Sequence, residues 1–226
     1  MKTLLSNLKI DINDKIYLKD PESSDLGRRI TEHSIKLIDD IGFDSFTFKK
    51  LGTIIGSNES SIYRYFDSKH KLLLYLTSWY WACLEYQLVF SIINISDPNV
   101  KLEKAINVLT RTIESVSTFS HIDEVVLNRV VINEYSKSYL TKEVDDENKD
   151  GYFAIYKRLV TRLHDMIIEV DPSYKFPHSL ASTVIEGALH QHFLKNHFKS
   201  LTDCDDKTQP SDYFTHLVLN ALNNNY

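Results

Sequence analysis

The segment of residues 47–73 constrains the fold of this chain most, because it combines helix caps with a glycine-centred turn. Thr47 favours a helix start, since its hydroxyl can accept a hydrogen bond from an unpaired backbone amide. Apolar residues follow at helical spacing. Gly56 comes directly after them, where a left-handed helix C-cap favours glycine. The pattern predicts a first short helix that ends in a tight turn.

A second short helix is predicted directly after this turn. Ser57 or Asn58 can cap it, and Ile62 and Phe66 fall on its inward face. Gly52 lies inside the first short helix, where glycine costs roughly 1 kcal/mol relative to alanine, and this indicates close approach of another helix. Two short helices that cross at a tight turn form a helix-turn-helix, whose second helix enters the major groove of DNA.

The outward face of the second helix suits contact with DNA. Between Thr47 and Lys71 there are five lysines or arginines and two acidic residues. Cations would neutralise phosphates, while hydroxyls and Arg64 could reach base edges. An ordinary solvated face on three amphipathic helices remains the alternative. The outward residues are Ser60, Ser61, Tyr63, Arg64 and Tyr65, and Lys49, Lys50, Lys69 and Lys71 flank them.

From Arg28 to Leu74 the sequence resembles the DNA-binding domain of the TetR family of bacterial transcriptional regulators. The resemblance rests on an amphipathic helix, RRITEHSIKLIDDIGF, followed by Thr47, LGTIIGS, SSIYRYF and DSKHKLL. It departs from the family at Gly52, where alanine is usual, and at Glu59, a negative charge beside the recognition helix. Glu59 could accept a hydrogen bond from cytosine, but a role at the helix N-terminus is the stronger interpretation.

The resemblance implies roles for individual residues. By position, Thr47, Ser57 and Tyr63 would contact phosphates, and Lys69 would anchor the DNA backbone. Lys69 also lies in the first turn of the next helix, where it can share an anion with the unpaired amides. The recognition helix would present its residues to bases or phosphates. The DNA-contacting set predicted in this way is Thr47, Lys49, Ser57, Ser60, Ser61, Tyr63, Arg64, Tyr65 and Lys69.

The rest of the chain also favours helices. Six glycines, five prolines and long periodic segments predict an all-α protein of about nine helices. The resemblance implies a three-helix helix-turn-helix domain followed by a larger helical domain for effector binding and dimerisation. The predicted segments are an N-terminal arm at 1–24, the DNA-binding domain at 25–75 and the effector domain at 76–226. Further helices are predicted at 68–93, 100–118, 122–140, 152–170, 178–199 and 212–222, with polar loops at 143–150 and 201–211.

The net charge of −5 is unusual for a protein that binds DNA. Residues 76–226 carry 20 acidic and 14 basic side chains, however, whereas residues 47–71 are locally basic. A basic patch on an acidic body is sufficient for local phosphate contact. The N-terminal arm has four acidic residues and four lysines before Asp25, so packing on the protein is favoured over a minor-groove arm that uses Lys15 or Lys19.

The effector pocket and the dimer interface are predicted from the resemblance together with helical spacing. A two-fold dimer joined through helices 178–199 and 212–222 would also bring two recognition helices to one operator. The predicted dimer contacts, which could instead face their own core, are Val184, Ala188, Leu194, Phe198, Phe214, Leu217, Val218 and Ala221. The predicted pocket residues, whose aromatic stripe could equally be core, are Trp79, Tyr80, Cys83, Gln87, Arg111, His164 and His190.

Catalytic and metal-binding patterns are lacking in the sequence. There is no nucleophile elbow, phosphate-cradling glycine loop or HExxH pair, and His190 and His197 lack a third ligand. We therefore expect no cofactor, no metal and no enzyme activity. Two distant cysteines and the absence of a sustained apolar run predict a cytoplasmic protein. The expected function is that of a homodimeric repressor released from its DNA operator by a small-molecule effector. The alternatives are a helical interaction scaffold or a cofactor-free enzyme using the C-terminal helical pocket.

Overall fold

The computed structural model describes residues 10–113 and 121–223. In these two ranges the chain forms ten α-helices, four 3₁₀ turns and no strand, so the predicted all-α fold is confirmed. The α-helices are α1 (Asp25–Ser45), α2 (Phe48–Ile55), α3 (Glu59–Tyr63), α4 (Lys69–Ile92), α5 (Pro98–Thr110), α6 (Glu124–Glu134), α7 (Val144–Lys149), α8 (Ala154–Val170), α9 (Pro177–His197) and α10 (Pro210–Asn223). The 3₁₀ turns are Asp14–Ile16, Pro21–Ser23, Tyr135–Ser138 and Lys199–Leu201.

The predicted polar loop at 143–150 is wrong, because this segment contains helix α7. Its acidic sequence hides one inward position, Glu147, whose carboxylate lies 2.8 Å from Nε2 of His70. The predicted helix 100–118 is shorter than expected, since α5 ends at Thr110. Residues 114–120, which include its predicted end, lie outside the described residues.

The described chain divides into two compact units, and each unit is built from two stretches of sequence. Unit 1 contains residues 10–80, 113 and 121–155, and unit 2 contains residues 81–112 and 156–223. The predicted segments 1–24, 25–75 and 76–226 are divisions by function, and they stay a prediction. No helix in the described part of the chain is long and apolar enough to cross a membrane.

Unit 1 has a core formed mainly by α1, α2, α4 and α6. Helix α1 begins after Ser24, whose hydroxyl oxygen accepts a hydrogen bond from the Gly27 amide. The helix packs along α6. Phe46 and Phe66 are fully buried beside the two short helices. Helix α1 kinks at Gly42, which has a φ of 76° that a side chain would strain. The kink turns the chain towards α2.

Unit 2 has a core in which α5, α9 and α10 pack against one another. Helices α9 and α10 pack closely at Gly187. A Cβ atom at this position would lie 2.8 Å from Cζ of Phe214, so the crossing leaves no room for a side chain. Cys83 and Cys204, both in this unit, are buried and form no disulfide.

Candidate nucleic-acid interface

Helix α2 begins and ends as its sequence predicts. The Thr47 hydroxyl accepts a hydrogen bond from the Lys50 amide at 3.2 Å, and Thr47 itself is exposed. Gly56 ends the helix in the left-handed conformation, with φ 63° and ψ 38°. Lys49 is exposed on the same short helix. The N-terminus of α2 therefore presents a hydroxyl and a cation at the surface.

A backbone hydrogen bond closes the turn between α2 and α3. The Ser57 amide donates to the Gly52 carbonyl at 2.9 Å. A Cβ atom on Gly52 would lie 2.7 Å from the carbonyl oxygen of Ser57, closer than van der Waals contact allows. This confirms the close approach inferred from a glycine in the middle of a helix, and the approach fixes the angle between the two short helices.

Asn58, rather than Ser57, caps helix α3. Its Oδ1 atom accepts hydrogen bonds from the Ser61 amide at 2.8 Å, the Ser60 hydroxyl at 2.9 Å and the Ser61 hydroxyl at 2.6 Å. Glu59 is the first residue of the helix, where its negative charge interacts favourably with the unpaired backbone amides. The cap therefore orients two hydroxyls of the predicted DNA-contacting set at one end of α3.

Tyr63 and Arg64 form the exposed end of α3. Tyr63 is 46% exposed, and its ring packs edge-to-face on Phe48 with centroids 4.9 Å apart. This contact holds the phenol ring against α2. Arg64 is exposed, and its side chain makes no hydrogen bond or ion pair with another described residue. Its guanidinium is the cation of this surface best able to reach a base edge or a phosphate.

The structure corrects the prediction for Tyr65. The side chain is only 4% exposed, and its hydroxyl lies 2.7 Å from Oγ of Ser24 and 3.2 Å from Nζ of Lys19. Tyr65 therefore points into unit 1 and not towards a DNA groove. The prediction failed because helical spacing alone does not determine which way the Tyr65 side chain faces. Ser24 and Lys19, which lie close to its hydroxyl, belong to the distant N-terminal arm.

Lys69 has a structural role that the sequence does not reveal. Its ammonium group donates to the carbonyls of Phe43, Asp44 and Phe46 at 3.0, 3.1 and 3.4 Å. It thereby caps the end of α1, where carbonyls lack helical partners. Contact of Lys69 with DNA stays a prediction, but the group is already engaged. Lys71 is likewise directed inward, to the Lys15 carbonyl.

Glu134 stabilises the same end of α1 and was missed from sequence. The kink at Gly42 leaves the Phe43 amide without a helical acceptor, and Oε1 of Glu134 accepts it at 2.9 Å. The other oxygen of this carboxylate lies 2.7 Å from Nζ of Lys137, which also contacts Asp44 at 2.8 Å. The approach to Thr47 is thus held by a helix more than 80 residues further along the chain.

The predicted pocket residues near the middle of α4 are packed in the interior. Trp79, Tyr80 and Cys83 are all buried. The Tyr80 hydroxyl accepts a hydrogen bond from Nδ2 of Asn128 at 3.2 Å, which satisfies it within unit 1. For these residues the alternative, an ordinary core stripe, agrees with their burial.

The other predicted pocket residues lie nearer the surface. Gln87 accepts a hydrogen bond from Arg111 at 3.4 Å, and Nδ1 of His164 lies 2.9 Å from a carboxylate oxygen of Asp165. His190 is exposed, and its place in an effector pocket stays a prediction. Two positions later on α9, the histidine that points inward is His192, because a shift of two residues reverses much of a helical face.

The predicted dimer contacts divide into two groups. Val184, Ala188, Leu194, Phe214 and Val218 are buried within unit 2, so for these five the structure corrects the prediction in favour of the alternative, their own core. Helical spacing identifies an apolar face but not what covers it. Phe198 is 51% exposed, and Leu217 and Ala221 are partly exposed. For these three residues a dimer contact stays a prediction.

His192 gives unit 2 a pH dependence. It is 4% exposed, and Nε2 donates to the Thr110 carbonyl at 2.7 Å. Burial lowers the pKa of His192 below its ordinary value of 6.5, although the hydrogen bond to Thr110 opposes this. The unfolded chain therefore binds a proton more readily than the folded chain. Stability is full above pH 6.5 and is lost as the pH falls through the lowered pKa.

We expect His192→Gln to remove this acid sensitivity. In the native protein the free energy of unfolding should fall below pH 6.5 by at most about 1.4 kcal/mol per pH unit, the limit for one proton. Urea unfolding at a series of pH values measures this slope. The exposed His190→Gln variant is the control and should retain the native slope. Equal slopes in all three proteins would contradict the prediction.

Comparisons with known proteins agree with the fold and with the position of the two short helices. Residues 30–76 match the family described as bacterial regulatory proteins, tetR family. This range runs from within α1 through α2 and α3 into α4. The family groups regulators rather than enzymes. No protein of curated function matches the sequence.

Several solved structures share the fold at low sequence identity. AibR in complex with isovaleryl coenzyme A and operator DNA is 17% identical, with a TM-score of 0.58, over 84% of this chain and 97% of AibR. The TetR family transcriptional regulator PfmR from Thermus thermophilus is 14% identical, with a TM-score of 0.56, over 86% and 97% of the two chains. The superantigen PfiT is 16% identical, with a TM-score of 0.57, over 92% and 100%. These likenesses establish the architecture, and function has to be argued from the site.

Proposed function

We propose that this chain, a member of the TetR family of bacterial regulatory proteins, binds a specific DNA operator and represses transcription. The observation that carries the proposal is the end of α3. There the exposed Tyr63 is held against α2 by its ring, and the Arg64 side chain has no partner among the described residues. An exposed guanidinium can donate hydrogen bonds to the edge of a guanine, and hydroxyls beside it can bind phosphate oxygens.

The local charge supports this proposal. Between Thr47 and Lys71 the cations outnumber the acids, in a chain whose net charge is −5. Lys50, Lys69 and Lys71 are bound to carbonyls within the chain, so the cations that remain on the α2–α3 surface are Lys49 and Arg64. A surface with few cations gives modest non-specific affinity and leaves more of the binding energy to base contacts.

We further propose that the regulator acts in the cytoplasm as a homodimer. One short helix-turn-helix reads only a few base pairs, whereas two copies related by a two-fold axis read two half-sites one helical turn apart. Phe198, which follows α9, and Leu217 and Ala221 of α10 are the exposed or partly exposed apolar residues that we assign to the dimer contact. Sedimentation of the native chain and of Phe198→Asp tests this assignment.

We propose that a small-molecule effector releases the repressor from DNA. The AibR structure contains both isovaleryl coenzyme A and operator DNA. For this chain we propose an effector that binds unit 2 and favours an arrangement of the dimer in which the recognition helices no longer fit adjacent major grooves. Such release requires the effector to bind that arrangement more tightly than the DNA-bound one.

Arg64→Ala and Tyr63→Phe separate sequence reading from phosphate contact. On duplexes from the promoter of its own or a neighbouring gene, Arg64→Ala should weaken operator binding by about 1–3 kcal/mol and relax the choice of base pair at one position. Tyr63→Phe keeps the ring on Phe48 and should weaken all duplexes by a similar factor. Fluorescence anisotropy at several salt concentrations measures both effects.

Lys207, an exposed lysine of unit 2, provides the control for charge. Lys207→Ala also removes one positive charge, yet it should leave operator affinity within about twofold, since Lys207 belongs to neither of the two short helices. A native chain that prefers no sequence, or an Arg64→Ala variant that binds its operator as the native chain does, would overturn the proposed function.

A further inference from the structure

The described part of the N-terminal arm packs on the rest of unit 1, and we call residues 12–24 the strap. Asn13 caps its first 3₁₀ turn and Asp20 caps its second, each through a side-chain oxygen that accepts a backbone amide. Ile12, Ile16 and Pro21 are buried. The strap contains two 3₁₀ turns, which residues 17–20 separate. The strap is therefore an ordered part of unit 1.

One end of the strap is fixed to the residue that follows the recognition helix. The Leu18 amide donates to the Tyr65 carbonyl at 2.8 Å. The Tyr65 hydroxyl lies 2.7 Å from Oγ of Ser24 and 3.2 Å from Nζ of Lys19, whose ammonium group also lies 5.0 Å from the centre of the tyrosine ring. The strap thus binds both the carbonyl and the hydroxyl of Tyr65.

The other end of the strap is fixed to residues 150–152. Nδ2 of Asn13 donates to the Asp150 carbonyl at 2.8 Å, and Nζ of Lys15 lies 2.7 Å from the Asp150 carboxylate. The Lys15 carbonyl accepts hydrogen bonds from Lys71 at 3.2 Å and from the Tyr152 hydroxyl at 3.3 Å. Because the strap is held at both ends, Tyr65 is attached to a fixed element and not to a mobile tail.

Helix α3 depends on such an attachment. It has five residues, of which Ile62 alone is buried. A helix this short is not stable by itself, so packing on either side must set its direction. The turn to α2 fixes one side, and Tyr65 with Phe66 fixes the other. Arg64 lies directly before Tyr65, so a displacement of the tyrosine backbone displaces the guanidinium as well.

We propose that the strap sets the position of Arg64 at the end of the recognition helix, and that Tyr65 is the positioning residue through which it acts. This inference rests on the proposed function. Tyr65 touches no DNA in this scheme. It holds the backbone from which Arg64 projects, and the Leu18 amide holds Tyr65 in turn. Discrimination between base pairs then depends on a contact made by a segment that precedes the DNA-binding domain in the sequence.

Two pairs of variants test the inference in the full-length chain. Tyr65→Phe keeps the buried ring and removes the hydroxyl bonds to Ser24 and Lys19. Leu18→Pro removes the amide that binds the Tyr65 carbonyl, while Leu18→Ala removes the same exposed side chain and keeps that amide. The exposed tyrosine variant Tyr213→Phe is the control for loss of a hydroxyl.

Affinity for the operator is compared with affinity for an unrelated duplex at the same salt concentration. We expect Tyr65→Phe and Leu18→Pro each to lower operator affinity by about 5–10-fold, as the loss of one net hydrogen bond implies, and to change affinity for the unrelated duplex by less than about twofold. Leu18→Ala and Tyr213→Phe should behave as the native chain does. A merely structural role would lower both affinities in proportion to unfolding, and that result would overturn the inference.

Amide hydrogen exchange decides the matter independently of DNA. The amides of Tyr65 and Phe66 both donate to the Ile62 carbonyl, so their exchange reports how well the end of α3 is held. They should exchange faster in Leu18→Pro than in Leu18→Ala. Equal exchange in the two variants means that the strap does not hold the helix. Failure of the proposed function would look different, as a native chain without a preferred sequence.

Discussion

Phe66→Ala should destabilise unit 1 by about 3–5 kcal/mol, the usual cost of removing a buried phenylalanine and leaving a cavity. Phe66 is 0% exposed, and its ring packs edge-to-face on Tyr75 with centroids 5.4 Å apart. It lies three residues after the end of α3, in the segment that fixes the direction of this helix. The free energy of unfolding in urea measures the effect, and operator binding should weaken as the folded fraction falls.

Phe90→Ala is the matched control for this variant. Phe90 lies on α4 and is largely exposed, so the same truncation should change stability by less than about 0.5 kcal/mol. A similar loss of stability in both variants would show that the interior around Phe66 contributes no special packing. It would also weaken the view that α3 is fixed by the residues that follow it.

Glu134→Ala should destabilise unit 1 by about 2–4 kcal/mol, because it leaves a buried amide without an acceptor and a lysine without its partner. Glu134 is 8% exposed and accepts the Phe43 amide at the kink of α1. The chain runs from this kink directly to Thr47, so we also expect weaker operator binding in the protein that remains folded. Thermal unfolding and anisotropy on the same preparations separate the two effects.

Glu134→Gln distinguishes the hydrogen bond from the charge. The amide oxygen can still accept from Phe43, but the ion pair with Lys137 is lost, so the cost should be nearer about 1 kcal/mol. Glu143→Ala, at an exposed acidic residue that precedes α7, should be neutral. If Glu134→Gln proves as damaging as Glu134→Ala, the ion pair and not the amide bond stabilises the end of α1.

Features that depend on neighbouring residues could be predicted from the sequence. The cap at Thr47, the left-handed Gly56 and the tight approach at Gly52 each follow from the chemistry of a few consecutive positions. The second short helix lies where its sequence predicts, for the same reason. Only the choice of cap remained open, and Asn58 took it because its side-chain oxygen reaches both Ser60 and Ser61.

Features that depend on distant residues could not be predicted from periodicity. Tyr65 turns inward because Ser24 binds its hydroxyl, and the Phe43 amide is satisfied by Glu134. Neither partner leaves a signal near the residue that it serves. The predictions for the five buried dimer residues failed for a different reason. Residues such as Val184 do lie on an apolar face, but that face is covered by the core of the same chain.

The division of the chain into two interleaved units has a consequence for its synthesis. Residues 121–155 complete unit 1, although residues 81–112 of unit 2 are made between them and the recognition helix. The ribosome therefore releases the helix-turn-helix well before it makes Glu134 and Asp150. Glu134 stabilises the end of α1, and Asp150 holds the strap. At a synthesis rate of about 5–20 residues per second, several seconds pass between the synthesis of the helix-turn-helix and that of Glu134 and Asp150. A nascent regulator of this design acquires a competent DNA-binding surface only late in translation.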